Sequence, residues 1–492
     1  MAKYEMLIGG EWVAPVSGNY IESINPYNQE PWAQIPRAGL EDVEAAVRAA
    51  YEAYTSGPWS NMTPTQRGAL LRRLGDLIAE NVEELAKIET RDNGKLYAEM
   101  SAQVRYMPEW FYYFGGLADK LEGMVHPTDK ADMFNYSRYE PYGVVAAITA
   151  WNSPLLLAAY KLAPALAAGN TVVLKPSEHA SCSSLQFARL VEQAGFPPGV
   201  INVITGYGSE IGDDLTGHPL VSKISFTGSE ATGRRIHEIA GWDFKSTTLE
   251  LGGKSPNIVF ADADLDQAAN GVIAGILAAS GQTCVAGSRL LVDEAVYDEF
   301  LERVLAIAKG AKLGDPMSPE TNVGPVATRE QYDKVNGYLE TALSEGAECI
   351  LGGPSDGPPE PGQGLFIRPT IFTNVSNDMR IAREEIFGPV LAVIRFRDEE
   401  EAIRIANDTR YGLAAGIWSR DIRRCMELPA KLQAGTVWVN TYRVVSYMTP
   451  FGGYKASGSG KENGMEAIKQ YLQLKSVWLS TARTSASPFT IR

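Results

Sequence analysis

The rhythm of apolar and polar positions shifts twice along the chain. Residues 1–40 hold short apolar runs punctuated by GGEW and NPYNQEPW, the pattern of strands joined by turns. From Leu40 to Tyr54 and again from Pro64 to Thr90, apolar residues recur every three or four positions. In the second stretch Leu70, Leu71, Leu74, Leu77 and Ile78 share one face, which predicts amphipathic helices whose leucines enter a core. From residue 143 short, nearly continuous apolar runs alternate with helical ones: GVVAAIT, LLLAAYKLAPALAAG closing at Gly169, NTVVLK, SSLQFARLVEQAG, GVINVIT, SEIGDDLTGH and VSKISF. Strands buried on both faces read this way, so the alternation predicts a parallel sheet with crossover helices. A second alternating region begins near SPNIVF and runs through AGSRLLV, IFTNV, VLAVIRF and TVWVN. The expected fold class is α/β with two such layers. The Pro/Gly-rich stretch at 352–364 is too short to join domains and reads as a surface loop.

The length of 492 residues leaves room for roughly three domains at about 150 residues each. A chain 45% hydrophobic and 21% charged is not a disordered one. The 45 basic and 59 acidic residues give a net charge of −14, which repels phosphate backbones, so no nucleic acid partner is expected. The longest apolar stretch without charge, Gly143 to Tyr160, is interrupted by Asn152, Ser153 and Pro154 and stopped by Lys161. It predicts a buried strand and a helix, not a membrane span. The cysteines at 182, 284, 349 and 425 show neither a metal-ligand spacing nor a disulfide framework. The expectation is therefore no metal and a reducing, cytoplasmic compartment. Residues 1–14 carry Glu5 and Glu11 and lack the apolar segment of a signal peptide.

Several short segments carry candidate chemistry. Gly206, Gly208 and Gly212 follow a predicted strand in a pattern one residue away from the dinucleotide fingerprint; they serve either a cofactor contact or a tight turn. In SFTGSEATG a strand runs into Gly228, Ser229 and Gly233 ahead of a helix. Free N–H groups and the helix dipole there suit a phosphate, and simple capping by Ser229 is the alternative. Lys175 and Glu178 stand just past the carboxyl end of a strand, where open α/β sheets bind ligands; a solvated pair is the alternative. Cys284 lies among small residues in SGQTCVAGS, with room for a substrate beside the sulfur. A thiol attacks only as thiolate and needs a base, and none of the four histidines stands in a Cys/His motif. Glu250, at the end of an apolar strand and before two glycines, is the candidate base, a buried carboxylate with a raised pKa.

LELGGKSP (249–256) and GQTC (281–284), with Glu250 and Cys284 34 positions apart, resemble the two signature segments of the NAD(P)-dependent aldehyde dehydrogenase superfamily. EEIFGPV (384–390) and PFGGYKASGSGKENG (450–464) match two further family segments, and FTGS, KPSE and WNSP also fall in family order, so the resemblance spans essentially the whole chain. It implies that Cys284 attacks the aldehyde carbonyl. The Asn152 amide and the Cys284 backbone N–H would form the oxyanion hole. Hydride transfer would leave a thioester, and Glu250 would activate the water that hydrolyses it. Lys161 matches a lysine of a proton relay. Lys175 and Glu178 would hold the adenine ribose and Ser229 the pyrophosphate, with Gly208, Gly228 and Gly233 also among the cofactor-binding residues. Trp151 would line the cofactor cleft, Glu385 would bind the nicotinamide ribose, and Phe387 would pack near the ring.

The same resemblance implies a Rossmann-type cofactor domain (1–122 and 143–250), an α/β catalytic domain (251–449), and a small β oligomerisation arm with the C-terminal segment (123–142 and 450–492). The alternating MFNYSRYEPY suits an exposed ribbon that needs a partner edge, and a homodimer or homotetramer is expected. Ser153 stands where the family often carries a large aromatic wall, so the pocket is expected to admit a bulkier or more polar aldehyde. Leu157, Tyr160, Thr283, Val285, Val445 and Phe451 would line the tunnel. Arg443 near its mouth would attract a carboxylate-bearing semialdehyde, or else is a solvated surface arginine. Glu178 would repel a 2′-phosphate, favouring NAD over NADP without excluding it. CoA-dependent acylating oxidation, which needs no base for water, and a non-catalytic protein on the same fold are the competing readings.

Overall fold

The computed structural model describes residues 1–355, 363–484 and 489. Of the loop expected at 352–364, residues 356–362 lie outside the described residues.

An eight-stranded sheet runs in the spatial order Gly458–Ser459, Ser246–Glu250, Val221–Thr227, Val144–Thr149, Thr171–Pro176, Ile201–Val203, Met6–Ile8, Glu11–Val13. Its five central strands are mutually parallel, and the edges are closed by antiparallel pairs. Taken in chain order the parallel five lie 5-4-1-2-3, so the winding reverses between Val144–Thr149 and Val221–Thr227. That reversal leaves a crevice at the carboxyl ends of the two strands, where doubly wound sheets bind ligands. Val144–Thr149 and Thr171–Pro176 are buried at every position, which explains their uninterrupted apolar pattern.

A second sheet of seven strands is ordered Glu348–Leu351, Thr370–Thr373, Val390–Phe396, Arg289–Asp293, Pro256–Val259, Ala414–Trp418, Thr436–Val439, and only its first pair is antiparallel. Outside both sheets Leu472–Ser480 pairs antiparallel with Met133–Pro141, from Leu472 opposite Pro141 to Ser480 opposite Met133, and Val125–His126 joins the far edge.

Two details differ from the sequence pattern. The amphipathic stretch 64–90 is not one helix: Pro64–Glu80 ends and Val82–Asn93 begins at Asn81, whose side-chain amide donates to Leu77 O (2.7 Å) and competes with the helical ladder. Within 450–492, assigned to the arm and C-terminal segment, Gly458–Ser459 instead completes the edge of the first sheet beside Glu250.

Candidate active site

Two turns meet at the switch point. Ala150 to Ser153 follow Val144–Thr149, and Gly228 and Ser229 follow Val221–Thr227. A groove of about 650 Å³ opens between them and reaches past Lys175, Glu178 and Gly208. Ser229 caps helix Glu230–Trp242, its hydroxyl accepting from Thr232 N (3.2 Å). The helix N-terminus thus faces the groove with its dipole. Lys175 is buried with its ammonium 3.4 Å from Glu178 Oε2 and 3.2 Å from Pro176 O. Burial lowers the Lys175 pKa. Burial pushes Glu178 up, but the Lys175 charge, together with backbone N–H donors that include Gly208 N (3.3 Å), holds it below its ordinary value. A carboxylate that stays ionised at the groove wall is a fixed negative charge facing whatever binds there. Gly233, expected among the cofactor-binding residues, does not line this groove. It packs its helix onto Leu251, whose Cδ2 would lie 2.5 Å from an added Cβ. Its glycine answers close packing beneath the helix.

The groove continues into a cleft of about 160 Å³, with which it shares Ala150, Trp151, Thr227, Gly228 and Ser229. Asn152, Leu157, Glu250, Cys284, Glu385 and Phe387 line this second part, together with Gln331 and Lys334, which the sequence did not single out. Glu250 arrives on the last position of strand Ser246–Glu250, and Cys284 on the loop between helix Leu265–Leu277 and strand Arg289–Asp293. Glu385 Oε1 accepts from Gly253 N (3.0 Å), and any Cβ on Gly252 would strike the same carboxylate. Ser457 Oγ donates to Gly252 O (2.7 Å) and Arg289 Nε to Lys254 O (3.0 Å), which fixes the LGGK segment. Gln331 donates to the Ile386 and Phe387 carbonyls (2.8 Å each) and steadies Phe387, whose φ is +61°. The Phe387 ring meets Trp151 edge to face at 5.3 Å. Asn152 Nδ2 donates to Gln282 O (3.0 Å), which brings the amide to the cysteine loop.

Burial raises the Glu250 carboxyl well above its ordinary value. Glu462 adds to the rise, while Lys161 and Lys461 oppose it. The Gly453 backbone N–H also faces this carboxyl and opposes the rise. Burial, then the charges of Glu385 and Glu250, push the Cys284 thiol up to about 12. Lys161 does not line the cleft. It is wholly buried behind it, donating to Thr227 Oγ1 (2.8 Å) and paired with Glu462 Oε1 (2.5 Å).

On the other side of Cys284, Val285 belongs to a small apolar cluster against which Cys284, Val445 and Phe451 pack. Tyr160 faces Phe451 at 6.5 Å and stacks on Trp110 at 5.0 Å. Thr283 is partly buried beside the nucleophile. Arg443 has a left-handed backbone (φ +66°) and donates to Ala274 O (3.3 Å). Ser153 departs from expectation: its hydroxyl is not spare polarity for a substrate. It is buried, accepts from Lys95 Nζ (2.9 Å) and donates to Asn152 O (2.7 Å). A buried lysine needs an acceptor, and Ser153 supplies it. Among the described residues, no group of three or more His, Cys, Asp or Glu could hold a metal ion, and no helix is long and apolar enough to cross a membrane.

The aldehyde dehydrogenase family profile matches residues 12–477. The chain is 44% identical to (Z)-2-((N-methylformamido)methylene)-5-hydroxybutyrolactone dehydrogenase of Acinetobacter baylyi, with all of both chains covered. It is 42% identical to betaine aldehyde dehydrogenase of Bacillus subtilis over 98% of this chain and 99% of that one. Among solved structures, a betaine aldehyde dehydrogenase variant from Staphylococcus aureus in complex with NAD+ superimposes with a TM-score of 0.97 at 41% identity, covering 100% of each chain.

Proposed function

The chain belongs to the aldehyde dehydrogenase family, and from that premise we propose how its own residues carry out the NAD-dependent oxidation of an aldehyde. The observation that carries the proposal is one continuous cavity with Cys284, Glu250 and Asn152 at one end and Lys175, Glu178 and the Ser229 helix N-terminus at the other. The long groove with an anion-binding helix end and a carboxylate at its far wall fits a dinucleotide. Lys175 and Glu178 would hold a ribose, Ser229 and Gly228 the pyrophosphate, and Glu385, Trp151 and Phe387 the nicotinamide end. NAD, when bound, supplies the hydride acceptor.

Cys284, as thiolate, adds to the aldehyde carbon, and the Asn152 amide and Cys284 N–H stabilise the resulting oxyanion. Such donors act where charge develops, and losing one costs about 10²–10³ in kcat. Loss of hydride from the thiohemiacetal carbon leaves a thioester. Glu250 takes a proton from water, whose oxygen attacks the thioester; the acid leaves and the sulfur returns as thiolate. Lys161 holds Glu462 behind Glu250, where the pair helps to remove that proton. A base placed against the cysteine supports hydrolysis over transfer to CoA.

For the substrate we propose a polar or carboxylate-bearing aldehyde. Arg443 makes no ion pair among the described residues, which leaves its guanidinium for a carboxylate. The relative that acts on a hydroxybutyrolactone supports an oxygen-rich substrate. A panel of aliphatic, aromatic, amino and carboxylate-bearing aldehydes, read by NADH absorbance with a Cys284→Ala control, tests this. Turnover led by acidic aldehydes, with KM raised about tenfold by Arg443→Ala, is the expected result, worth about 1.4 kcal/mol. Indifference to the Arg443 change would remove the carboxylate reading.

The ribbon Leu472–Ser480 exposes Leu474, Trp478 and Leu479, with Phe134 exposed across the pair. We propose that a second copy covers this ribbon in a dimer or tetramer; light scattering that finds only a monomer would reject it. All four cysteines are free, which supports a reducing, cytoplasmic setting.

A further inference from the structure

We infer that the segment from Asn93 to Glu99, outside every motif discussed above, is a clamp that positions both donors of the oxyanion hole. The inference rests on the assignment of those donors to the Asn152 amide and the Cys284 backbone N–H.

Helix Val82–Asn93 stops at Gly94, whose φ of +75° admits no ordinary side chain without strain. The reversal turns Lys95 into the interior, and Asn93 Oδ1 accepts from Lys95 N (3.0 Å), fixing the corner's shape. Two bonds leave this corner toward the turn that carries Asn152. Asn93 Nδ2 donates to Trp151 O (3.4 Å). Lys95 Nζ donates to Ser153 Oγ (2.9 Å), which itself donates to Asn152 O (2.7 Å). The carbonyls of Trp151 and Asn152 are thus both held from one place.

Glu99, in the first turn of helix Tyr97–Tyr106, reaches the other half of the hole. Its Oε1 accepts from Ala279 N (2.8 Å). Ala279 opens a run of three left-handed residues, with φ of +54°, +53° and +74° at Ala279, Ser280 and Gly281, ahead of Cys284. Left-handed backbone at residues bearing a Cβ persists only where the surroundings impose it. Glu99 is one such constraint, and Ser280 Oγ donating to Gly324 O (2.8 Å) is another. Asn152 Nδ2 donating to Gln282 O (3.0 Å) then joins the two halves. Lys95 is buried within the field of the Glu99 and Glu89 carboxylates but forms no ion pair among the described residues, and its ammonium bonds Ser153 instead. Its hydrogen bond to the Asn152 turn gives that burial a role. Lys95, Asn93 and Glu99 are positioning residues: they act through Asn152 and the cysteine loop.

The test uses the full chain with Lys95→Met, Glu99→Ala and Glu99→Gln, the first also combined with Asn152→Ala. Steady-state kinetics, NAD binding and thermal unfolding are measured for each. Lys95→Met and Glu99→Ala should lower kcat about 10- to 100-fold, as misplacement of an aligned group does, with NAD binding unchanged. Glu99→Gln keeps an acceptor for Ala279 N and should recover most of the activity. In the Asn152→Ala background the donor that Lys95 positions is absent, so Lys95→Met should cost less than about twofold. An equal loss in both backgrounds, or a Glu99→Gln variant as impaired as Glu99→Ala, would overturn the clamp. If Lys95→Met does not fold, the contrast between the two Glu99 variants decides. A wild-type protein inactive on every aldehyde would overturn the reaction assignment and the clamp together; an active one with additive losses overturns the clamp alone.

Discussion

Lys161 and Glu462 meet as an ion pair 2.5 Å apart, with both side chains withdrawn from solvent. Glu250 lies in their field: Glu462 reinforces the effect of burial in raising its pKa, and Lys161 opposes it. A carboxylic acid with a raised pKa keeps its proton, and is idle as a base, until the pH climbs past that value. Glu462→Gln removes one of the two raising influences, so the acid limb of the kcat–pH profile should move to lower pH. The same change strands the Lys161 ammonium in the interior, at a cost of about 3–5 kcal/mol in urea unfolding. A limb that stays in place, or moves to higher pH, would contradict this account of Glu250.

The state of the nucleophile gives a second prediction. Burial first, then Glu385 and Glu250, push the Cys284 thiol up to about 12. Only the thiolate is alkylated. Without cofactor, iodoacetamide should therefore modify Cys284 slowly at pH 7, with a rate that climbs about tenfold per unit between roughly pH 8 and 10. Glu385→Gln, which removes a facing negative charge, should raise the rate at fixed pH. Peptide mass mapping measures both, and a pH-independent rate would show an already ionised sulfur.

Cofactor choice should turn on Glu178. Its carboxylate is held ionised at the groove wall by Lys175 and the Gly208 N–H, and a phosphate placed there would meet a like charge. Glu178→Gln should raise the ratio of kcat/KM with NADP to that with NAD about tenfold or more, equivalent to about 1.4 kcal/mol. An unchanged ratio would place the discrimination elsewhere in the groove.

The sequence disclosed what depends on local pattern. Val144–Thr149 and Thr171–Pro176 read as strands because they are buried on both faces, and the residues at their carboxyl ends, Trp151, Asn152, Lys175 and Glu178, stood where a doubly wound sheet gathers them. Gly233 packs beneath its helix, and a glycine that allows a helix to approach Leu251 looks the same in sequence as one that admits a phosphate. Ser153 was read as a substrate contact because its partner Lys95 lies 58 positions away. Glu99 meets Ala279 across 180 positions and Lys161 meets Glu462 across 301. No periodicity or motif window spans such distances; only the tertiary fold makes these pairs.

The central claim is that Cys284 carries the acyl group and Glu250 supplies the water that removes it. The direct test is rapid mixing of the Glu250→Gln variant with NAD and its best aldehyde, followed by intact mass measurement. The account predicts a burst of about one NADH per active site, steady turnover lowered about 10²-fold or more, and the substrate's acyl mass on Cys284, in line with the size of general-base contributions. Turnover at the wild-type rate with no burst and no adduct would contradict it.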